Sequence, residues 1–342
     1  MPLDLSTTLV VGVSSTALFE LGAENKAFED AERSDKDSAI QSYRDEMRAK
    51  ENDQLKPGVA FPLVQALLKL DAQYRPPGED PLVEVVVLSR NSPETGLRVL
   101  NSIRAHSLQI TRSSFRGGQS ITPLLGPFGV DLLLTASLRD AQEATDTGVC
   151  AAGIVVGVGP QSFAVDDEKL EIRIAFDGDA VLFDGSSEMV YKEQGIEAFH
   201  AHEAAYHDVP LPKGVFAALL QKIAALRQRL PMKMEYSPVR IILVTARNGP
   251  SELRVINTFR DWQVYVDEAH FLGGLAKAPF INALKPHIFF DDQDAHLSES
   301  SKLNPCVKVL YPTDSPLHAY ATKGGAVEED QPLPIPAQES DA

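Results

Sequence analysis

Residues 170–183 read LEIRIAFDGDAVLF. The first half, Leu170–Phe176, is a β-rich apolar run, and it breaks directly into Asp177-Gly178-Asp179, a turn-forming triplet. Downstream, Gly214–Arg229 carries apolar residues at 215, 216, 219, 220, 223 and 226, the period of a helix. Val239–Val244 (VRIILV) predicts a second strand, Ser251–Arg260 a helix, and His287–Phe290 (HIFF) a third strand ending in Asp291-Asp292. Uninterrupted apolar strands alternating with amphipathic helices predict an α/β fold, a Rossmann-like parallel sheet covered on both faces. Ligands of such sheets sit at the carboxyl ends of the strands, where the polar motifs of this chain fall.

The same pattern occurs earlier in the chain. Gly58-Val59 and Gly214-Val215 each open an apolar helix-like run, and 214 − 58 = 156. That offset also pairs Leu97-Arg98-Val99 with Leu253-Arg254-Val255, Asn101 with Asn257, Phe115 with Phe271, Gly117-Gly118 with Gly273-Gly274, and Pro123 with Pro279. A constant register through turns and strands alike predicts two tandem units from an internal duplication. The expected boundaries are a first unit over 1–150, a linker over 151–168 where Gly153, Gly157, Gly159 and Pro160 interrupt the pattern, and a second unit over 169–312. From 323 to 342 the composition turns to Gly, Pro and acid, which predicts a disordered tail.

Composition narrows the function classes. Thirty-two Lys+Arg against 48 Asp+Glu leave a formal charge of −16, contrary to a non-specific nucleic-acid binder or a protein held on anionic membranes. No apolar run approaches the roughly 18–20 residues of a membrane span. Two cysteines cannot build a disulfide framework, and the start lacks a basic signal-peptide segment, so a reducing cytoplasm is the expected location. The small anionic ligand of a local pocket stays compatible with the net charge, as does a homo-oligomer.

Two carboxylates at i and i+2 on a strand tip, held by a turn, put one acid at a ligand and the other beside it, but DGD alone is also an ordinary surface turn. A calcium loop starting at Asp177 fails, because Val181 and Leu182 occupy an oxygen-ligand position and the obligatory glycine. The wider set decides the reading. A strand followed by Asp-x-Asp-x-Val, a strand ending in Thr245, then Lys277, then a strand ending in Asp291-Asp292 resembles the four-motif signature of haloacid dehalogenase-like phosphotransferases. AFDGDAVLF, LVTARN and PHIFFDDQ, with VSSTALF and LSRNSPETGLRVLNSI in the first half, are similar to the cytosolic type I 5′-nucleotidases. The resemblance covers the chain up to about residue 312. It implies Asp177 as nucleophile, Asp179 as general acid and base, and Thr245 and Lys277 as holders of the phosphoryl oxygens. It further implies Mg²⁺ held by Asp177, Asp291 or Asp292 and the main-chain carbonyl of Asp179, with a nucleoside 5′-monophosphate as substrate. A phosphatase for another small monoester such as a sugar phosphate, and a non-catalytic nucleotide-binding protein, are the alternatives.

The first unit acts as an internal control. Aligning Phe19 with Phe183 sets Val13 opposite Asp177 and Ser15 opposite Asp179. The 156-residue offset sets Ser89 opposite Thr245, Ile121 opposite Lys277, and Thr135-Ala136 opposite Asp291-Asp292. Glycines and apolar runs persist while the charged groups are lost together, which predicts a non-catalytic first unit. The long stretch between the Asp177 and Thr245 motifs is read, by the same resemblance, as a small helical cap over about 184–237. Within it Phe199 and Tyr206 are candidates for stacking on a nucleobase, or for the cap's own core, and Arg247 is a further candidate substrate contact. His202-Glu203 with His207 has H-E-x-x-x-H spacing, which does not put both histidines on one helical face as a zinc protease needs. His200, Glu203 and His207 do share a face, expected to be solvated.

Overall fold

The structure is a computed structural model that describes residues 4–21, 36–157, 170–231 and 237–322. Ten strands form one sheet in the order β3-β2-β1-β4-β5-β10-β9-β6-β7-β8. They are β1 Leu9–Val13, β2 Val83–Ser89, β3 Arg112–Phe115, β4 Leu132–Thr135, β5 Ala151–Val156, β6 Ile172–Phe176, β7 Val239–Thr245, β8 Glu268–Phe271, β9 Ile288–Asp291 and β10 Cys306–Val309. Every pairing is parallel except β5 with β10, where Val155 faces Val307 in antiparallel register. The strand order therefore reads the same outward from that central pair in both directions. The bounds of β2, β3 and β4 recur at +156 in β7, β8 and β9.

The strands anticipated from apolar runs all form, with bounds shifted by a residue or two. Both faces of the central strands are covered, so their residues are buried without alternation, as in β1 (LVVGV) and β7 (VRIILVT). One face carries a continuous core contributed by both halves, into which Phe176, Phe216 and Phe290 pack, with ring centroids 5.2 Å apart (Phe176–Phe290) and 4.9 Å apart (Phe216–Phe290). The other face carries two separate clusters, one around Val86 and Leu133, the other around Ile242 and Phe289.

Two expected boundaries are corrected. The stretch from Ala151 does not break regular structure; residues 151–156 are β5, at the seam of the sheet. Gly153 is there because β10 comes too close for a side chain: an added Cβ would lie 2.3 Å from Val307 Cγ1 and 2.9 Å from the Lys308 carbonyl oxygen. Residues 158–168 of the expected linker, and the tail over 323–342, lie outside the described residues. The second correction concerns the cap. Its expected carboxyl-terminal part, Ala217–Gln228, is a helix that buries Leu219, Leu220, Ile223 and Leu226 in the shared core, so it belongs to the body of the fold. The excursion above the sheet is confined to the chain between Phe183 and Lys213, which are joined by a β-bridge.

The helices are α1 Ser15–Leu18, α2 Lys36–Ala49, α3 Phe61–Tyr74, α4 Leu97–Ala105, α5 Leu138–Thr147, α6 Ser186–Ala205, α7 Ala217–Gln228, α8 Glu252–Asp261, α9 Ala278–Leu284, α10 Asp294–Ser300 and α11 Pro316–Thr322. Helix α6, in the excursion, is two helical pieces meeting at Gly195, whose φ of +81° is in the region that favours glycine. No helix among the described residues is long and apolar enough to cross a membrane.

Candidate active site

Strands β9, β6 and β7 are neighbours, and all three point their carboxyl ends the same way. Asp177 follows β6, Thr245 ends β7 and Asp291 ends β9, so three residues far apart in sequence arrive at one rim. Asp177 is fixed by its own backbone, whose N–H donates to the Phe290 carbonyl at 2.8 Å, and its Oδ1 accepts from the Gly178 N–H at 2.6 Å. The following residues, Gly178–Leu182, form a single π-type turn with Ala180 at φ +59°. A left-handed alanine costs on the order of 1–2 kcal/mol. The turn is held closed by Phe183 N–H to Gly178 O (2.9 Å) and Phe216 N–H to Val181 O (3.0 Å). It places Thr245 against the loop: a Cβ at Gly178 would be 3.3 Å from the Thr245 hydroxyl.

Lys277, at the start of α9, completes the group. Its ammonium lies 2.8 Å from Asp177 Oδ1 and 2.8 Å from Asp291 Oδ2, with only 1% of its side chain exposed. Asp291 Oδ1 accepts from the Gln293 N–H at 2.8 Å and lies 3.2 Å from His296 Nδ1. Burial pushes the Asp177 carboxyl up to about 6, with the Lys277 charge pulling against it. For Asp291 burial acts in the same sense, but Lys277 and His296 outweigh it and hold the group at about 2. Burial would lower the Lys277 ammonium, yet the two aspartates outweigh it and keep it protonated.

Asp292 has a different environment. Tyr311 donates its hydroxyl to Oδ2, while Oδ1 is buried with no hydrogen-bond partner among the described residues. Burial, followed by repulsion from Glu188, Asp291 and Asp177, pushes its carboxyl well above the usual range. Glu188, on α6, is raised by burial as well, and Lys192 lies 3.2 Å from it. With all four carboxyls (177, 188, 291, 292) ionised against two ammonium groups (192, 277) the pocket would carry 2 − 4 = −2, and the raised carboxyls of Asp177, Glu188 and Asp292 reflect burial together with that excess. An orphaned buried carboxylate oxygen in a pocket two charges short is what a divalent cation would correct.

Ligand atoms of Asp177, Asp291 and His296 lie within 4.8 Å of one another. Asp292 lies outside that triplet, but its unpartnered oxygen is the stronger argument for a hard cation, which prefers oxygen to imidazole nitrogen. Tyr311 orients this carboxylate from behind, and neither it nor His296 was legible as a site residue, because nothing in their local sequence marks them. Tyr311→Phe should raise the metal concentration needed for half-maximal activity roughly 10- to 100-fold. A metal titration of phosphate release measures this, and an unchanged midpoint would remove Tyr311 from the site.

Asp179 does not join the cluster through its carboxylate. Both its oxygens accept from Arg247, Nε to Oδ2 at 2.7 Å and Nη2 to Oδ1 at 2.6 Å. Arg247 is buried, and its Nη1 donates to Glu203. Glu203 has no exposed surface, so the face expected to be solvated is turned inward at this residue. The reason is charge pairing: Glu203 also accepts from Arg254 Nη1 (2.9 Å) and the Ser187 hydroxyl (2.8 Å). Of the histidines around it, His202 places Nδ1 3.0 Å from Glu203 Oε1, His200 Nε2 lies 3.1 Å from Asn248 Oδ1, and His207 is half exposed.

Phe199 is buried, with its ring on Tyr191 and against the Arg247 guanidinium (5.3 Å). Tyr206 is exposed and lies over Arg254. The structure thus brings together Asp177, Thr245, Lys277, Asp291 and Asp292, sets Asp179 and Arg247 beside them as a pair, and places Phe199 and Tyr206 on the arginines.

Comparison with known proteins follows the same lines. The family model for 5′-nucleotidase matches residues 1–316. Cytosolic 5′-nucleotidase 1B of Homo sapiens is 32% identical over 300 residues, which are 86% of this chain and 47% of the human protein. The chain thus spans about half the length of that curated relative. No solved structure matches it significantly. A match that runs through both halves of the sheet and all the strand-tip residues above places this chain in the 5′-nucleotidase family.

Proposed function

We propose that the chain is a Mg²⁺-dependent phosphohydrolase of nucleoside 5′-monophosphates, working in the cytoplasm. The observation that carries this reading is the convergence of Asp177, Thr245, Lys277 and Asp291 on adjacent strand tips, in a chain whose family is that of 5′-nucleotidases. The donor set suits Mg²⁺: Asp177, Asp291 and Asp292 are the oxygen ligands, with the Asp179 carbonyl added by resemblance. When bound, the ion would neutralise phosphoryl charge and let a carboxylate approach it.

In the first step Asp177 attacks phosphorus, the bond from phosphorus to the ribose 5′-oxygen breaks, and Asp179 delivers a proton to that oxygen. In the second, water attacks the aspartyl-phosphate, Asp179 takes its proton, and phosphate leaves with Asp177 restored. Thr245 and Lys277 hold the phosphoryl oxygens throughout.

The proposal extends to the architecture. We read the two halves as tandem haloacid dehalogenase-like units, the second catalytic with a small cap over about residues 184–213. The recurrence of strand bounds at +156 supports this. At the corresponding rim of the first half the Ser15 and Ser89 hydroxyls bond each other at 3.0 Å, and Ile121 is buried where the second half has Lys277. That half has no carboxylate at the matching positions, so we assign it no turnover and a role as a packing partner or an effector-binding unit.

A panel of monoesters tests the reading, with phosphate release followed with and without Mg²⁺. Selective turnover of nucleotides supports it, preference for sugar phosphates favours a general monoester phosphatase, and silence across the panel overturns it. Metal should also act on stability in a pH-dependent way. Burial raises the folded-state carboxyls of Asp177 (to about 6) and Asp292, so the metal-free fold is favoured by protons and loses that contribution as pH rises through 6. Mg²⁺ binds the ionised forms, so its stabilising effect should be larger at pH 7.5 than at pH 5.5. Thermal melts at the two pH values check this, and equal shifts would count against these ligands.

A further inference from the structure

The shared arginine of the site has a use that the hydrolytic reading does not require. Arg247 stands between two anions: the candidate acid Asp179, which takes two of its N–H groups, and Glu203 on α6, which takes a third. Phe183 from the body and Phe199 from α6 flank the guanidinium, their ring centroids 5.9 and 5.3 Å from it. Arg247 engages both oxygens of Asp179, so one of those hydrogen bonds is exchanged when the carboxyl turns towards a leaving oxygen.

We propose that Glu203 is a positioning residue: by sharing Arg247 with Asp179 it limits how firmly the acid is held, and so ties leaving-group departure to the helix that covers the site. The inference rests on the hydrolase reading above. Without the Glu203 charge, Asp179 becomes the sole anionic partner of Arg247, the bidentate pair tightens and the acid is released less often.

An anchoring role alone does not account for the arrangement. Arg254 also ties down the chain that leaves α6, through the Val209 carbonyl, and that bond does not involve Glu203. The first half separates the two functions. Arg98, the counterpart of Arg254, is present there and donates to the Asp53 carbonyl. The counterpart of Arg247 is Asn91, lost together with the acids. The arginine that touches Asp179 thus occurs only where there is an acid to hold.

The test compares two leaving groups. A nucleoside departs as an alkoxide that needs a proton, whereas p-nitrophenolate leaves without one. In single turnover, Glu203→Gln should lower the rate of nucleoside release from a nucleoside 5′-monophosphate by roughly 10- to 100-fold, a part of what a general acid supplies. The rate of p-nitrophenolate release from p-nitrophenyl phosphate, measured the same way so that the later proton transfer to Asp179 does not enter, should fall less than about threefold. The charge-balanced Glu203→Gln/Arg254→Met variant should show the same selective loss, and it takes the place of the single variant if that one does not fold. Equal losses on both substrates, or no loss on either, would overturn the inference alone. A wild-type protein inert towards both with Mg²⁺ present would overturn the hydrolase reading, and the inference with it.

Discussion

Asp177→Asn should abolish phosphate release from nucleoside monophosphates, by roughly 10⁴-fold or more, with the protein still folded. The magnitude follows from its proposed place in the reaction: a carboxamide cannot form the aspartyl-phosphate, so both steps are lost rather than slowed. The fold should tolerate the change because the Asn side chain is nearly isosteric. The 2.6 Å contact to the Gly178 N–H and the 2.8 Å contact to Lys277 both need only an acceptor, which the amide oxygen supplies. Burial works against a charge at this position, raising the Asp177 carboxyl to about 6, so a neutral side chain also removes a desolvation cost. Rates for wild type and variant at saturating substrate, with a thermal melt of each, measure both halves of the expectation. Substantial residual turnover in a folded variant would show that another group attacks phosphorus.

Lys277→Met should produce the second large effect, on stability as well as on activity. The ammonium is the nearest counter-charge of two buried carboxylates, 2.8 Å from each. Its removal leaves Asp177 and Asp291 facing each other across a pocket already two charges short. Breaking a buried ion pair by deleting one partner typically costs about 3–5 kcal/mol, because the remaining charge stays desolvated. Urea unfolding of the metal-free protein should show a loss of this order, and added Mg²⁺ should recover part of it by supplying positive charge to the same oxygens. Activity should not recover, since the proposed contact to the phosphoryl oxygens is gone. A variant as stable as wild type, or one whose turnover returns with metal, would remove Lys277 from this role.

Much of this arrangement was legible in the linear order of residues. Apolar runs such as VRIILV and HIFF marked buried parallel strands because both of their faces are covered, and the polar residues that end them mark the rim. The edge strands β3 (RSSF) and β8 (EAHF) left no such trace, since an exposed edge has no need of an apolar pattern. Strand β5 was read as a break because glycine usually interrupts a strand, whereas Gly153 serves close contact with β10. Glu203 was read as solvated because a carboxylate on a helix face ordinarily is. Only the approach of Arg247 and Arg254, 44 and 51 residues further along the chain, makes its burial affordable.

Local sequence thus indicated the alternation of strands and helices and the polar residues that end the strands, since period and residue type act through near neighbours. Tertiary structure decided the partners: that Lys277 sits between Asp177 and Asp291, that Tyr311 backs Asp292, and that Asp179 is held by an arginine shared with α6. Buried charges are stable only with counter-charges or hydrogen bonds at contact distance, and those come from segments whose separation along the chain carries no local signal.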